Sequence, residues 1–434
     1  CLLQQRARLC LRIYLTMSQI AVHLGADHSL GLVAERDSGL QYLACESICI
    51  LIIPEIDCVW CSLGSKAALY PIENNLQRVT INYNFDVNVN CHILIQRDEF
   101  PARVASGMAN GSIAIYDLIK EDYKAIQVRW INSNSKLTSS TITCLVWSPS
   151  RPHELLSSHK QGQIFVFDLR LDQEAPMKLV DTGMLVSPIA NLSVNAIVPV
   201  NRRKSIRQKL ITRRDTVLPK KKSSVSATDT VDFRILSRQS DSIRNPIQCF
   251  MLSSVPISVM RFSFNGNLLA VGQQCGIIAI LDMAPNPPKK LNLIETHFGA
   301  VLCLAWNRSS NRQLLASASQ DDLVSIFDIS TGTCLANGIG HVSWPTQLAF
   351  CNQLDGETLI SVSEDTNAII WKLTSQRQNI NVENDRRTTI LEPFSRVSIH
   401  DEPIACMDIC ETDGRIQMVT FCRKGVVKFW KSTI

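Results

Sequence analysis

Seven times along this chain an apolar run ends in a short signature, most often an aromatic followed by a polar residue. The copies are Leu69-Tyr70-Pro71, Ile115-Tyr116-Asp117, Val166-Phe167-Asp168, Ile280-Leu281-Asp282, Ile326-Phe327-Asp328, Ile370-Trp371-Lys372 and Phe429-Trp430-Lys431. Successive copies lie 46, 51, 114, 46, 44 and 59 residues apart. Five of these spacings sit near the period of roughly 40–45 expected for four-stranded blades with looser loops. The long gap holds one blade plus an insertion of about 70 residues. Such an array cannot bury one repeat without its neighbours, so the chain should close into an all-β, seven-bladed propeller. A propeller is first a binding platform, and its partner becomes the question.

The expected organisation follows from these marks. Residues 1–44 form an N-terminal extension that can supply a ring-closing outer strand. Residues 45–431 form the propeller, with blades at 45–72, 91–118, 141–169, 256–283, 299–329, 342–373 and 402–431. Residues 170–250 form a basic, largely disordered insertion between the third and fourth blades. Ser375 to Thr389 reads as a second polar linker.

With 434 residues and 45% hydrophobic content the chain can bury a large core. No apolar stretch is long enough to span a bilayer. The first residue is not Met, and Met17 offers an internal start. Apolar patches near the N-terminus are broken by Arg6, Arg8 and Arg12, which spoils a secretory core. The expected location is therefore cytoplasm and nucleus, where thiols stay reduced.

Sixteen cysteines then need a reading other than disulfides. Cys144, Cys303 and Cys406 fall in strand-like runs and read as small apolar fillers. Cys45, Cys49, Cys58 and Cys61 have the chemistry for tetrahedral zinc. However, Cys49 and Cys61 sit inside apolar runs that a blade would use as strands, which favours core packing. No metal or other cofactor is expected.

The net charge of +5 is unevenly spread. Between Arg202 and Lys222 ten Lys or Arg face one acid, Asp215, a local charge of +9. The remainder therefore carries 5 − 9 = −4, which gives no reason to expect a phosphate-binding face. Arg202, Arg203 and Lys204 form one basic cluster and Lys220, Lys221 and Lys222 another. They read as a solvated loop, as a nuclear-import signal, or as a non-specific nucleic-acid contact. No aromatics interleave with them, which argues against specific RNA recognition.

Two blades carry a Gly-His or loop His, then a strand Ser, a turn Asp and a strand aromatic. In one the members are His341, Ser361 or Ser363 (Ser363 preferred), Asp365 and Trp371. In the other, His297 and Asp321 or Asp322 precede Phe327. A buried His–Asp–Ser–Trp hydrogen-bond chain ties an entry loop to inner strands and stabilises only when every member is satisfied. These are structural roles. Enzyme readings lack parts: there is no Gly-x-Ser-x-Gly, no phosphate-cradling glycine loop and no His-Glu-x-x-His.

Three stretches are more specific. They are Ser242-Ile243-Arg244-Asn245-Pro246-Ile247; His297-Phe298-Gly299-Ala300 running to Trp306 and Asp321-Asp322-Leu323-Val324; and Gly340-His341-Val342-Ser343-Trp344 leading to Ser363-Glu364-Asp365-Thr366. Together they resemble the WD40-repeat family of WD repeat-containing protein 20, dystrophia myotonica WD-repeat protein and fungal catabolite repression protein creC. The resemblance covers about 141–373 well and the final blade loosely, while 1–100 find no match. The family often carries a long insertion before its last blade, where this chain has fewer than thirty residues.

The resemblance implies a non-enzymatic scaffold that binds a ubiquitin-specific protease and activates or stabilises it, commonly beside a second WD40 subunit. It implies no small-molecule ligand and no membrane partner. Two aromatic positions carry the family's docking, and they match Phe298 and Trp344. Both lie in loops entering a blade from the preceding one, so both belong to one end of the ring. The residues alone leave two readings open, interface anchors or plugs folded inward between blades. The resemblance favours anchors.

Two other readings remain. Phe167-Asp168-Leu169-Arg170 resembles the aromatic-Asp-x-Arg ending of propellers that serve as substrate receptors of cullin-type ubiquitin ligases. A nuclear interaction scaffold using 202–222 would bind nucleic acid with steep salt dependence.

Overall fold

The computed structural model describes most of residues 48–172 and 244–431, with short breaks, together with 20–23, 174, 180–181 and 233–237. Strand follows strand throughout, and the one helical turn among the described residues is Pro54–Ile56. The described strands form seven sheets: five drawn from successive stretches of chain, one that adds Thr389–Leu391 in parallel to Thr333–Ile339 from within the following sheet's stretch, and a seventh that joins the two ends. The class is an all-β propeller. In the seventh sheet Ile20–His23 pairs antiparallel with Val426–Lys431, Ile20 opposite Phe429, so an early strand covers the edge of the last blade.

The inner strands are Ile48–Ile53, Val89–Ile95, Ile142–Trp147, Ile257–Phe262, Val301–Trp306, Pro345–Cys351 and Ile404–Thr412. Each packs beside the next around the ring, and the last packs against the first. Six of them carry a bulge near their start, for example between Val301 and Cys303. A bulge twists the strand and re-aims the residue it frees.

Burial explains the sequence pattern. Leu314–Ser319, Leu323–Asp328 and Thr358–Ser363 are buried at every position, because neighbouring blades cover both faces. Such strands read as continuous apolar and small residues. Outer strands keep a solvent face and alternate, as in Thr333–Ile339. Close packing limits size: a Cβ on Gly107 would lie 2.7 Å from Ile142 Cγ2.

Around the channel, inner-strand side chains bridge all seven blade interfaces. Cys49 Sγ donates to the Asn90 carbonyl, Asn90 Nδ2 to Ile142, Cys144 Sγ to Met260 and Ser258 Oγ to Val301. Cys303 Sγ donates to Leu348 and Thr346 Oγ1 to Ile404, while Gln347 Oε1 accepts from Met407 N–H. Asp408 Oδ2 closes the ring by accepting the Ile52 N–H at 2.7 Å. Cys144 and Cys303 are therefore more than fillers, because their weak S–H donors satisfy carbonyls of the next blade.

Two expectations need correction. The stretch 170–250 is not all loop, nor does it lie between two complete blades. Gln248–Met251 pairs directly with Gln163–Asp168 as the fourth strand of the third blade. Arg234–Ser237 and Val180–Asp181 extend that sheet to six strands. Phe233 stacks on Phe250 at 6.0 Å within the core, which makes the added strand adhere. Buried Asn245 locks the base: its Oδ1 accepts from Asp168 N–H and its Nδ2 donates to the carbonyls of Asp168 and Leu171. The insertion thus interrupts the third blade before its last strand. Secondly, blade boundaries run further than expected, because Ile81–Asn84, Lys124–Ile131, Lys289–Glu295, Thr333–Ile339 and Ser395–Ser398 each add a fourth strand.

Arg202, Arg203, Lys204, Lys220, Lys221, Lys222 and Cys45 lie outside the described residues. Cys58 and Cys61 are buried in Cys58–Leu63. Burial pushes the Cys61 thiol well up and the Cys49 thiol up to about 12. Among the described residues no cluster of His, Cys, Asp or Glu could hold a metal ion.

Candidate partner-docking rim

The loops 296–300 and 340–344 each run from the outer strand of one blade to the inner strand of the next, so both open on the same end of the ring. The turns 320–322 and 364–366 reach that end from within their blades. Two buried hydrogen-bond chains fasten loop to turn.

In the first chain His341 Nδ1 lies 3.0 Å from Asp365 Oδ2, and its Nε2 lies 2.7 Å from Ser361 Oγ. Trp371 Nε1 donates to Ser361 Oγ at 2.8 Å. The serine of the chain is therefore Ser361, not Ser363. Both point the same way from one strand, but the register places Trp371 opposite Leu359 and within reach of Ser361. Ser363 Oγ instead donates to the Ser343 carbonyl and accepts the Asp365 N–H, each at 3.0 Å.

The second chain repeats the first. His297 Nδ1 lies 3.1 Å from Asp321 Oδ2 and its Nε2 2.7 Å from Ser317 Oγ. Buried Phe327, opposite Leu315, holds the place of the tryptophan and supplies no N–H. Burial works against the charge on Asp365. Hydrogen bonds from His341, Val342 N–H and Asn367 N–H outweigh it and hold the carboxyl well below the usual range. Asp321 is lowered against burial in the same way, by His297 and the Phe298 and Leu323 amides.

Other blades hold a histidine between strand and loop groups, or between strands alone, without a carboxylate. His400 Nε2 lies 2.8 Å from Thr420 Oγ1, which also accepts from Trp430 Nε1 at 3.1 Å, and burial pushes the His400 imidazole down to about 4. His159 sits between Ser157 Oγ and the Ser140 carbonyl, and His92 between Ser62 and Ser106.

On this frame stand three large apolar side chains in water. Phe298 is 76% exposed, Val342 73% and Trp344 40%. Phe298 and Trp344, expected from the sequence, lie on one rim and do not plug the gap between blades. Val342 was missed. Its signal was an aliphatic residue placed directly after the loop histidine, outside any strand alternation. The rim side chains beside them pair among themselves: Arg423 bonds to Glu364, and Arg396 Nη2 lies 3.3 Å from Asp365 Oδ2.

Arg170 behaves differently. It follows the third strand of its blade, at the opposite end of the ring, and folds back onto its own turn. Its Nη2 lies 2.6 Å from Asp168 Oδ2 and its Nε 3.0 Å from Oδ1.

The WD domain, G-beta repeat family model matches residues 288–328, which include the Phe298 loop and the His297–Asp321 chain. That stretch is thus a repeat of WD40 type. It is 24% identical over 273 residues to the UBP9-binding protein bun62 of Schizosaccharomyces pombe (strain 972), a span of 62% of this chain and 42% of that protein. The chain thus spans less than half the length of that relative. Among solved structures it resembles a chain of the crystal structure of the mitotic checkpoint complex, with a TM-score of 0.55, 15% identity, and coverage of 92% of this chain and 95% of that one. Sqt1 of Saccharomyces cerevisiae gives 0.53 and 11%, with coverage of 88% and 83%. At these identities the two structures speak to fold alone.

Proposed function

We propose that this WD40-type propeller is a non-enzymatic scaffold that binds a ubiquitin-specific protease through the rim bearing Phe298 and Trp344, and activates or stabilises it. The observation that carries the reading is the pair of aromatic side chains held out of the core on two loops of one rim. Large apolar groups on a fixed backbone are the residue types that anchor interfaces, each worth about 2 kcal/mol or more. The name of the fission-yeast relative, a UBP9-binding protein, supports a protease of this class as the partner. A second WD40 subunit beside the protease belongs to the same proposal, as does residence in cytoplasm and nucleus with the basic clusters at 202–204 and 220–222 as the import signal. The runner-up, a cullin-ligase substrate receptor using Arg170, is weakened by the engagement of that guanidinium with Asp168.

The test is recovery of partners by the tagged full chain from cells, read by mass spectrometry. Wild type is compared with Phe298→Ala/Trp344→Ala and with Arg170→Ala. A ubiquitin-specific protease retained by wild type and by the Arg170 variant, and lost with the double variant, supports the proposal. A cullin adaptor retained by wild type and lost with Arg170→Ala, with no protease, rejects it.

A further inference from the structure

Five histidines tie loops and strands of the ring together, at positions 92, 159, 297, 341 and 400. Of these five, only His297 and His341 have a carboxylate within hydrogen-bond distance of the ring. Their entry loops are also the two that carry Phe298, Val342 and Trp344. The coincidence has a geometric basis. Asp321 Oδ2 accepts at 3.1 Å from His297 Nδ1 and again at 3.1 Å from the N–H of Phe298 itself. Asp365 Oδ2 accepts at 3.0 Å from His341 Nδ1 and at 3.0 Å from the N–H of Val342. In each case the other carboxylate oxygen accepts a turn amide, Leu323 at 3.2 Å or Asn367 at 3.0 Å. One carboxylate therefore fixes both sides of the loop-turn junction and holds the backbone of an exposed apolar residue while its side chain stays in water. An anchor whose backbone is already fixed gives up less freedom on binding.

Building on the protease-docking reading, we propose that Asp321 and Asp365 are positioning residues of the docking rim, and that Val342 is a third apolar anchor beside Phe298 and Trp344. The fitting partner surface is an apolar socket on the protease that receives three side chains from two rigidly held loops. The Asp321→Asn and Asp365→Asn substitutions test this at constant size. An amide offers a single oxygen, so one of the two sets of N–H donors comes to face an NH2 group. Ser361→Ala is the matched control, because it breaks the chain beneath His341 and leaves the Asp365 contact to Val342 in place.

Hydrogen–deuterium exchange across residues 296–300 and 340–344 is measured on the full chain, together with thermal midpoint and recovery of the protease identified with wild type. Asp365→Asn should speed amide exchange at 342 about tenfold and cut recovery about tenfold. Val342→Ala should cut recovery with exchange unchanged. Ser361→Ala, with a comparable loss of thermal midpoint, should leave recovery near wild type. The positioning role is overturned if Asp365→Asn leaves exchange and recovery unchanged, or if Ser361→Ala lowers recovery equally. If Val342→Ala binds like wild type, Val342 is no anchor. If wild type recovers no protease, the protease reading itself fails, and the exchange comparison still decides whether the carboxylates hold the loops.

Discussion

Replacing Asp408 with Asn should stabilise this propeller at neutral pH and lose that advantage in acid. Asp408 sits at the junction where the last inner strand meets the first, partly buried, with Oδ2 taking the Ile52 N–H at 2.7 Å. Burial pushes its carboxyl up from 3.8 to about 6, against the Ile52 and Ile409 amides and the Arg261 charge, which pull it down. The folded protein therefore holds this proton over a range in which the unfolded chain has released it. Stability from this site is greatest below about pH 4 and falls as pH rises through about 6, where the charge is half formed, to level off near pH 7. A shift of roughly 2 pH units at 1.36 kcal/mol each puts the neutral-pH cost at about 3 kcal/mol. The Asp408→Asn amide has no charge to bury, and its oxygen can still accept from Ile52. Urea denaturation followed by tryptophan fluorescence, on both proteins at pH 5 and 7.5, gives the difference directly. The variant should gain about 3 kcal/mol at pH 7.5 and about half of that at pH 5. A variant less stable at pH 7.5, or a gain that ignores pH, would refute the reasoning.

Other outcomes follow from the same geometry. Trp371→Phe removes the indole donor to Ser361 and should lower stability by about 1–2 kcal/mol with the fold intact, since Phe327 fills the equivalent place two strands from His297; thermal melts decide it. Gly276 has φ +89°, and a Cβ there would stand 2.2 Å from the His297 carbonyl oxygen. Gly276→Ala should therefore cost more than about 1 kcal/mol and speed exchange at 297–299, whereas unchanged exchange would show that the loop yields freely. Burial pushes His92 down to about 3, and His159 and His400 down to about 4, against 6.5 for an ordinary imidazole. The unfolded chain binds protons at these three positions as pH falls below 6.5, so the denaturation midpoint should drop steeply between pH 6.5 and 4.5. The drop should be steeper still in Asp408→Asn, and a flat profile would mean these rings are hydrated.

The repeat was legible because the third strand of most blades is apolar on both faces. Each signature, from Leu69-Tyr70-Pro71 to Phe429-Trp430-Lys431, falls in a third strand. Fourth strands were not legible, because they face water and read as polar alternation, as Lys289–Glu295 does with Lys-Lys-Leu-Asn-Leu-Ile-Glu. Gln248–Met251 was hidden for another reason: its partner strand lies some 80 residues earlier, and no local pattern announces so distant a pairing. The Asn245-Pro246 motif that stood out in the sequence turned out to seal the base of that excursion. At the rim, Phe298 and Trp344 were readable as residue types placed in loops. The choice between Ser361 and Ser363 was not, because a period of two puts both on one face and only register separates them. The bridges across the channel were also out of reach, since they depend on how far one inner strand stands from the next.

The central claim, docking through the rim, is tested most directly by the affinity of the purified protease partner for the full chain. Titration calorimetry compares wild type with Phe298→Ala/Trp344→Ala. Two anchors worth about 2 kcal/mol each predict a dissociation constant about a thousandfold weaker, with a thermal midpoint near wild type because both side chains stand in water. A double variant that binds within about threefold of wild type would place the docking surface elsewhere on the ring.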